Sequence, residues 1–83
     1  MTTIRVRLFA RARDLAGAEV VAVDLPAGAT VADLRERLAA AVPVLRELLS
    51  RAAVAVKEDF AGDDAVIPAG AEVAVIPPVS GGE

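Results

Sequence analysis

The residues that could carry chemistry lie at the C-terminal end of the chain, in the segment Ile76-Pro77-Pro78-Val79-Ser80-Gly81-Gly82-Glu83. Two consecutive prolines end a β-strand, because proline has no amide hydrogen to donate to a neighbouring strand. The small Ser80 and the two glycines after it would let the backbone pass through a narrow channel. We therefore predict a stiff, extended tail over residues 77–83 that inserts into a partner. For the diglycine alone, the alternatives are a disordered end or a remnant of cloning.

The chain has neither cysteine nor histidine among its 83 residues. This composition excludes disulfides, a thiolate nucleophile and sulfur-ligated metal, and it equally excludes imidazole catalysis and imidazole metal ligands. No metal site is predicted. Any sulfur that the protein handles must be attached to a group other than cysteine.

Length and composition indicate one small domain with an aliphatic core. Hydrophobic residues make up 55% of the chain, but Phe9 and Phe60 are its only aromatic residues. No apolar run reaches the roughly 20 residues that span a bilayer, and the first residues lack the basic and then hydrophobic layout of a signal peptide. We expect a soluble cytoplasmic protein with no membrane partner.

Charge is unevenly distributed along the chain. The net charge of −3 argues against a nucleic-acid partner. Four arginines precede the first acidic residue, whereas every charged residue after Lys57 is acidic. The pattern fits either solubility with attraction between neighbouring strands, or electrostatic steering of a partner. The four arginines are Arg5, Arg7, Arg11 and Arg13.

Alternating apolar residues predict a first strand around residues 4–8 and a last strand over residues 72–76. The alternation places Phe9 on the outward face with the arginines, and Ile76 on the outward face of the last strand. If these strands are neighbours, Phe9 and Ile76 form an apolar patch at the root of the tail, to which a partner would bind. The alternative is a loop that covers them.

A helix is predicted to begin after Thr30, because Thr30 and Asp33 have the spacing of a capping box. Val31, Leu34, Leu38 and Val42 recur at helical spacing and form its buried stripe, with residues 35–37 in solvent. Two strands precede this helix, a shorter helical segment and two or three strands follow it, and Glu58-Asp59 is expected to be a turn. This α+β order favours a sheet covered on one face by a principal helix.

Four segments carry a resemblance to a known family: Ile4–Gly17, which contains Phe9-Ala10-Arg11-Ala12-Arg13; Leu25–Val31; Val54–Val56; and Glu72–Gly82, with its Pro-Pro-Val-Ser-Gly-Gly ending. Together they resemble the small subunits of molybdopterin synthase (MoaD), within the MoaD/ThiS ubiquitin-like sulfur carriers. The resemblance implies a β-grasp fold over residues 1–76, with the first and last strands parallel in the middle of a mixed sheet. Lys57, Ala71 and Glu83 depart from the family pattern, which has Asn, Asp and the chain end at these positions.

The resemblance also implies a function centred on Gly82. An ATP-dependent activating enzyme would adenylate the Gly82 carboxylate, and sulfur would then displace AMP to leave a thiocarboxylate. The large subunit of molybdopterin synthase would receive the tail and hold the pterin precursor. The chain would bind no cofactor, since ATP is used by the activating enzyme, and it would have no complete active site alone. Because Glu83 follows Gly82, a peptidase would first have to remove it.

Two other functions remain open from the sequence. The chain could be a ubiquitin-like modifier that is joined through Gly82 to a lysine of a target protein. It could also be an interaction module with an inert tail, and the presence of Glu83 speaks for that alternative.

Overall fold

The computed structural model describes residues 1–78, which form a mixed five-stranded sheet and three short helical regions. The strands are β1 (Thr2–Leu8), β2 (Val20–Leu25), β3 (Ala53–Val56), β4 (Asp59–Ala61) and β5 (Val73–Ile76). The helices are α1 (Ala10–Ala16), α2 (Val31–Ala41) and α3 (Arg46–Leu49), with a 3₁₀ turn, Pro43–Leu45, leading into α3.

The strand order across the sheet is β2-β1-β5-β3-β4. β1 and β5 are parallel neighbours, and every other pair is antiparallel. The first and last strands therefore lie side by side within the sheet, as the β-grasp prediction requires. This confirms the predicted fold, a mixed sheet with a principal helix on one face.

Helix α2 begins where the capping box was predicted. The Thr30 hydroxyl accepts a hydrogen bond from the Asp33 N–H at 3.3 Å, and the Asp33 carboxylate accepts one from the Thr30 N–H at 3.0 Å. Two donors that the first helical turn would leave unpaired are thus satisfied.

The core lies between α2 and one face of the sheet. Leu38 is fully buried in the middle of α2, and Val31 and Leu34 from the predicted stripe are buried beside it. They belong to one cluster with the inward-facing residues of β1 and β5. Val42 is only half-buried, because the helix has already ended at Ala41 and Val42 is its C-cap.

Arg35 is the exception to the prediction that residues 35–37 are solvated. Its side chain is half-buried, and Nε donates to a carboxylate oxygen of Asp63 at 2.8 Å. One of its terminal nitrogens donates to the carbonyl oxygen of Leu49 at the end of α3. Arg35 therefore ties α2 both to α3 and to the loop after β4. Sequence periodicity cannot reveal this role, since the helical face alone marks Arg35 as polar.

The turn between β3 and β4 lies one residue earlier than predicted. Val56 pairs with Asp59, so Lys57 and Glu58, and not Glu58-Asp59, form a two-residue connection. Both have positive φ, 53° at Lys57 and 72° at Glu58, as in a type I′ turn, whose twist matches that of the flanking strands. Such turns favour Asn-Gly, so the Lys-Glu sequence gave no signal for this position.

We expect the substitutions Lys57→Asn and Glu58→Gly to stabilise the protein, because each new residue tolerates positive φ better than the residue it replaces. The combined gain in the free energy of unfolding should be about 1 kcal/mol, measured from urea denaturation. Lys57→Gln is the control, since it removes the charge but leaves the backbone strain. An equal gain in Lys57→Gln, or a loss in the double variant, would contradict the assignment of the turn.

Candidate functional site

The tail leaves the domain next to β1. β5 ends at Ile76, the predicted last residue of the domain, and after it Pro77 is buried and Pro78 is exposed. The remaining predicted site residues, Val79, Ser80, Gly81, Gly82 and Glu83, lie outside the described residues. Tail insertion, the chemistry at Gly82 and the removal of Glu83 therefore stay predictions.

A groove runs across the face of the sheet that α2 leaves open. The strand registers place four residues in one row: Arg7 pairs with Ala74, Ala74 with Ala55, and Ala55 with Phe60. Adjacent strands lie about 4.8 Å apart, so two alanines separate two large side chains. The alanines form the floor of the groove, and Arg7 and Phe60 form its walls. Its volume is about 220 Å³.

The two ends of the groove differ in chemistry. Ile76 and Phe9 line the end at which the tail begins, whereas Glu58 and Glu72 line the other end. Ile76 follows Ala74 by two residues and Phe9 follows Arg7 by two, so both lie further along the parallel strands β1 and β5. The groove is therefore apolar near the tail and acidic away from it.

The structure brings together the two residues predicted as a partner interface. Phe9 is 38% exposed and Ile76 is half-buried, and both line the groove at the tail. Phe9 connects β1 to α1. The next residue, Ala10, has a φ of 51°, which is a strained value for any residue other than glycine. The binding of a partner to Phe9 and Ile76 remains a prediction.

Phe60 is a part of this surface that the sequence analysis missed. The residue is 74% exposed, more than Phe9, and it forms the groove wall opposite Arg7. The sequence indicated only a short strand near Phe60. β4 has three residues, too few for alternation to show which face Phe60 occupies. Its pairing with Ala55 supplies that information.

The guanidinium group of Arg7 lies over the ring of Phe9, with Cζ 5.5 Å from the ring centroid. Arg5, Arg11 and Arg13 are also exposed. In residues 1–78 none of these arginines forms an ion pair with a carboxylate, since the ion pair found there joins Arg35 and Asp63. The uneven charge distribution therefore does not lead to direct ion pairs between these arginines and neighbouring strands within residues 1–78.

Residues 1–78 contain no group of three or more carboxylates arranged to hold a metal ion. None of the helices in this part of the chain is long and apolar enough to cross a membrane.

Similar proteins with known structures share this fold. SAMP1, a small archaeal modifier protein from Haloferax volcanii, is 32% identical, with a TM-score of 0.85 over 96% of this chain and 99% of that chain. A chain from the complex of subunits 1 and 2 of molybdopterin-converting factor from Helicobacter pylori has a TM-score of 0.68 at 21% identity, over 98% of this chain and 100% of that chain. At that identity, the second likeness concerns the fold alone.

Sequence comparison extends the likeness into the tail. A protein of Arabidopsis thaliana named molybdopterin synthase sulfur carrier subunit is 38% identical over 79 residues, which cover 95% of this chain and 82% of the relative. The ThiS family profile matches residues 6–82, from β1 to the second glycine of the tail. The chain belongs to the ThiS family.

Proposed function

We propose that this chain is the sulfur carrier of molybdenum cofactor biosynthesis, acting as the small subunit of molybdopterin synthase. The observation that carries the proposal is the ThiS family match, which extends through the tail and ends at Gly82. The identity to a molybdopterin synthase sulfur carrier subunit over 95% of this chain supports the same conclusion. The β-grasp domain then serves to present the tail to other proteins.

The proposed chemistry takes place at the C-terminal carboxylate of Gly82. A carboxylate is a poor electrophile until one of its oxygens becomes part of a good leaving group. In the activating enzyme, that oxygen attacks the α-phosphate of ATP and releases pyrophosphate, which leaves an acyl-adenylate. A nucleophilic sulfur then attacks the carbonyl carbon and displaces AMP, so the carbon–oxygen bond to AMP breaks as the carbon–sulfur bond forms. In the large subunit, the thiocarboxylate sulfur attacks a carbon of the pterin precursor and displaces a leaving group there. Water then hydrolyses the resulting thioester, which breaks the carbon–sulfur bond and returns Gly82 to a carboxylate.

Glu83 adds a step before activation. The carbonyl carbon of Gly82 is held in an amide bond to Glu83 and has no free carboxylate to adenylate. Adenylation of a residue beyond Gly82 would bring a charged side chain into a channel that suits glycine, and burial of an unpaired carboxylate is unfavourable. A peptidase therefore hydrolyses the bond after Gly82, which frees its carboxylate.

The groove is the surface on which the large subunit and the activating enzyme dock. Phe9 and Ile76 lie at its tail end, so a protein bound there is placed to receive residues 77–82. Phe60 extends the apolar contact across the floor of small residues. Aromatic residues are enriched at the centres of interfaces, and a few such anchors often carry most of the binding free energy.

Phe9→Ser should weaken binding to the large subunit by about tenfold or more, since it removes an aromatic contact worth about 1.4 kcal/mol or more. The dissociation constant can be measured by calorimetry, and thermal unfolding should confirm that the variant is folded. Leu15→Ser is the matched control, because Leu15 is also 38% exposed but does not line the groove. Unchanged affinity in folded Phe9→Ser, or an equal loss in Leu15→Ser, would count against this interface.

Reconstitution tests the function as a whole. The chain ending at Gly82, the activating enzyme, ATP, a sulfur donor, the large subunit and the pterin precursor should together form molybdopterin. Omission of ATP or of the activating enzyme should prevent the product, unless the chain already carries the thiocarboxylate. The control is a large subunit that forms molybdopterin with another sulfur carrier. If that large subunit forms no product with this chain in the complete mixture, the proposal is contradicted.

A second candidate function is attachment to other proteins. The likeness to the small archaeal modifier protein SAMP1, at a TM-score of 0.85 and 32% identity, favours it. The same acyl-adenylate of Gly82 would then be attacked by a lysine amine instead of sulfur. Mass spectrometry of digested cell protein would reveal lysines that carry the Gly82 end of this chain, and their absence would leave sulfur transfer as the function.

A further inference from the structure

Arg7 is the positively charged residue among the described residues that line the groove. It forms one wall of the groove, beside the floor residue Ala74 with which it pairs. The Cζ atom of its guanidinium group lies 5.5 Å from the centroid of the Phe9 ring. Within residues 1–78 it has no carboxylate partner. Two acidic residues, Glu58 and Glu72, line the same groove at its far end, but neither forms an ion pair with Arg7.

A partner that fills the groove must also cover Arg7. The alanine floor begins one strand away from Arg7, a distance of about 4.8 Å, so a side chain seated on Ala74 and Ala55 contacts the stem of Arg7. Removal of water from a guanidinium group without an anion to replace it strongly opposes binding. The contact with Phe9 holds the group beside the groove. Since no carboxylate of residues 1–78 pairs with Arg7, a carboxylate of the partner would replace that water.

We propose that Arg7 is a specificity-determining contact, and that the cognate partner surface places a carboxylate opposite it while an apolar side chain enters the groove. The inference rests on the proposed function, which supplies the partner: the large subunit of molybdopterin synthase. A carboxylate suits this position because guanidinium can bind both of its oxygens in a fixed plane. The partner's apolar side chain occupies the space over the two alanines.

The acidic end of the groove fixes the direction of docking. A partner carboxylate placed near Glu58 and Glu72 would be repelled, whereas the same group at Arg7 is attracted. Only one orientation of the partner then satisfies the charges, and in that orientation the carboxylate lies close to Phe9 and the root of the tail. The charge pattern thus aligns the partner with the tail that it receives.

The test compares Arg7→Glu with the native chain in binding to the large subunit of the same organism. Affinity should fall by about tenfold or more, and its dependence on ionic strength should weaken. Arg51→Glu is the matched control: it makes the same charge change at an exposed residue that does not line the groove. Thermal unfolding checks that both variants are folded.

Rescue identifies the partner group. Reversal of the charge of the facing carboxylate, by a Glu→Arg or Asp→Arg substitution in the partner, should restore binding to Arg7→Glu and weaken binding to the native chain. Equal affinity of folded Arg7→Glu and the native chain for the large subunit, or an equal loss in Arg51→Glu, would overturn the proposal for Arg7 alone. If the native chain does not bind the large subunit, the proposed function itself fails and the inference falls with it.

Discussion

A chain that ends at Gly82 is expected to form an acyl-adenylate with its activating enzyme, whereas the chain that continues to Glu83 is not. The physical reason is that adenylation needs a free carboxylate on Gly82, and in the longer chain this carbon is held in an amide bond. The reaction can be followed by pyrophosphate release and by the mass of the adenylate. We expect an all-or-none difference, with the longer chain at background until a peptidase that hydrolyses the bond after Gly82 is added.

Two variants separate the possible causes of this difference. Glu83→Ala keeps the amide bond but removes the charged side chain, and it should remain unreactive. A chain that ends at Gly81 has a free carboxylate but is one residue short, and it should react poorly because its carboxylate does not reach the same position. Equal adenylation of the Glu83-containing chain would show that no trimming is needed. If neither chain reacts, the tail is inert and the interaction-module hypothesis moves to first place.

Leu38→Ala should lower the free energy of unfolding by roughly 2 to 5 kcal/mol, from lost burial and from the cavity left behind. Leu38 is fully buried in the cluster between α2 and the sheet. Since a small domain has about 5 to 15 kcal/mol of stability in total, this change removes a large part of it. Urea denaturation provides the measurement.

Leu15→Ala is the control for this experiment, because it makes the same chemical change at a residue that is 38% exposed. Its effect should be clearly smaller than that of Leu38→Ala. A loss below about 0.5 kcal/mol at Leu38, the range of surface substitutions, would show that this position does not pack as the structure describes.

Much of the fold could be predicted because local signals and the global fold agree. The capping box at Thr30 and the apolar stripe through Leu38 indicate both the start of α2 and its buried face. Alternation in β1 separates buried Ile4, Val6 and Leu8 from the exposed arginines. Which strands are neighbours does not follow from alternation, and the parallel pairing of β1 with β5 was predicted from the family resemblance.

The candidate site could be predicted only in part, because its remaining features depend on strand register. Alternation placed Phe9 and Ile76 on outward faces, and the parallel strands brought them to one groove. The positions of Phe60 and of the two alanines in the groove depend on the pairing of β3 with β4 and β5. No pattern in the sequence predicts that pairing. The Lys57-Glu58 turn that sets this pairing lacks the usual turn residues. The contact of Arg35 with Asp63 depends on tertiary structure in the same way.

The intact mass of the protein isolated from its own cells tests the central claim, sulfur carried on Gly82, most directly. If Gly82 carries sulfur, the isolated chain should end at Gly82 with one oxygen replaced by sulfur, and this species should react with a thiol-alkylating reagent. Because the chain contains no cysteine, such a reaction reports the thiocarboxylate and not a side-chain thiol. A chain that ends at Gly82 with both oxygens in place and no alkylation, or a Gly82 found joined only to lysines of other proteins, would contradict it.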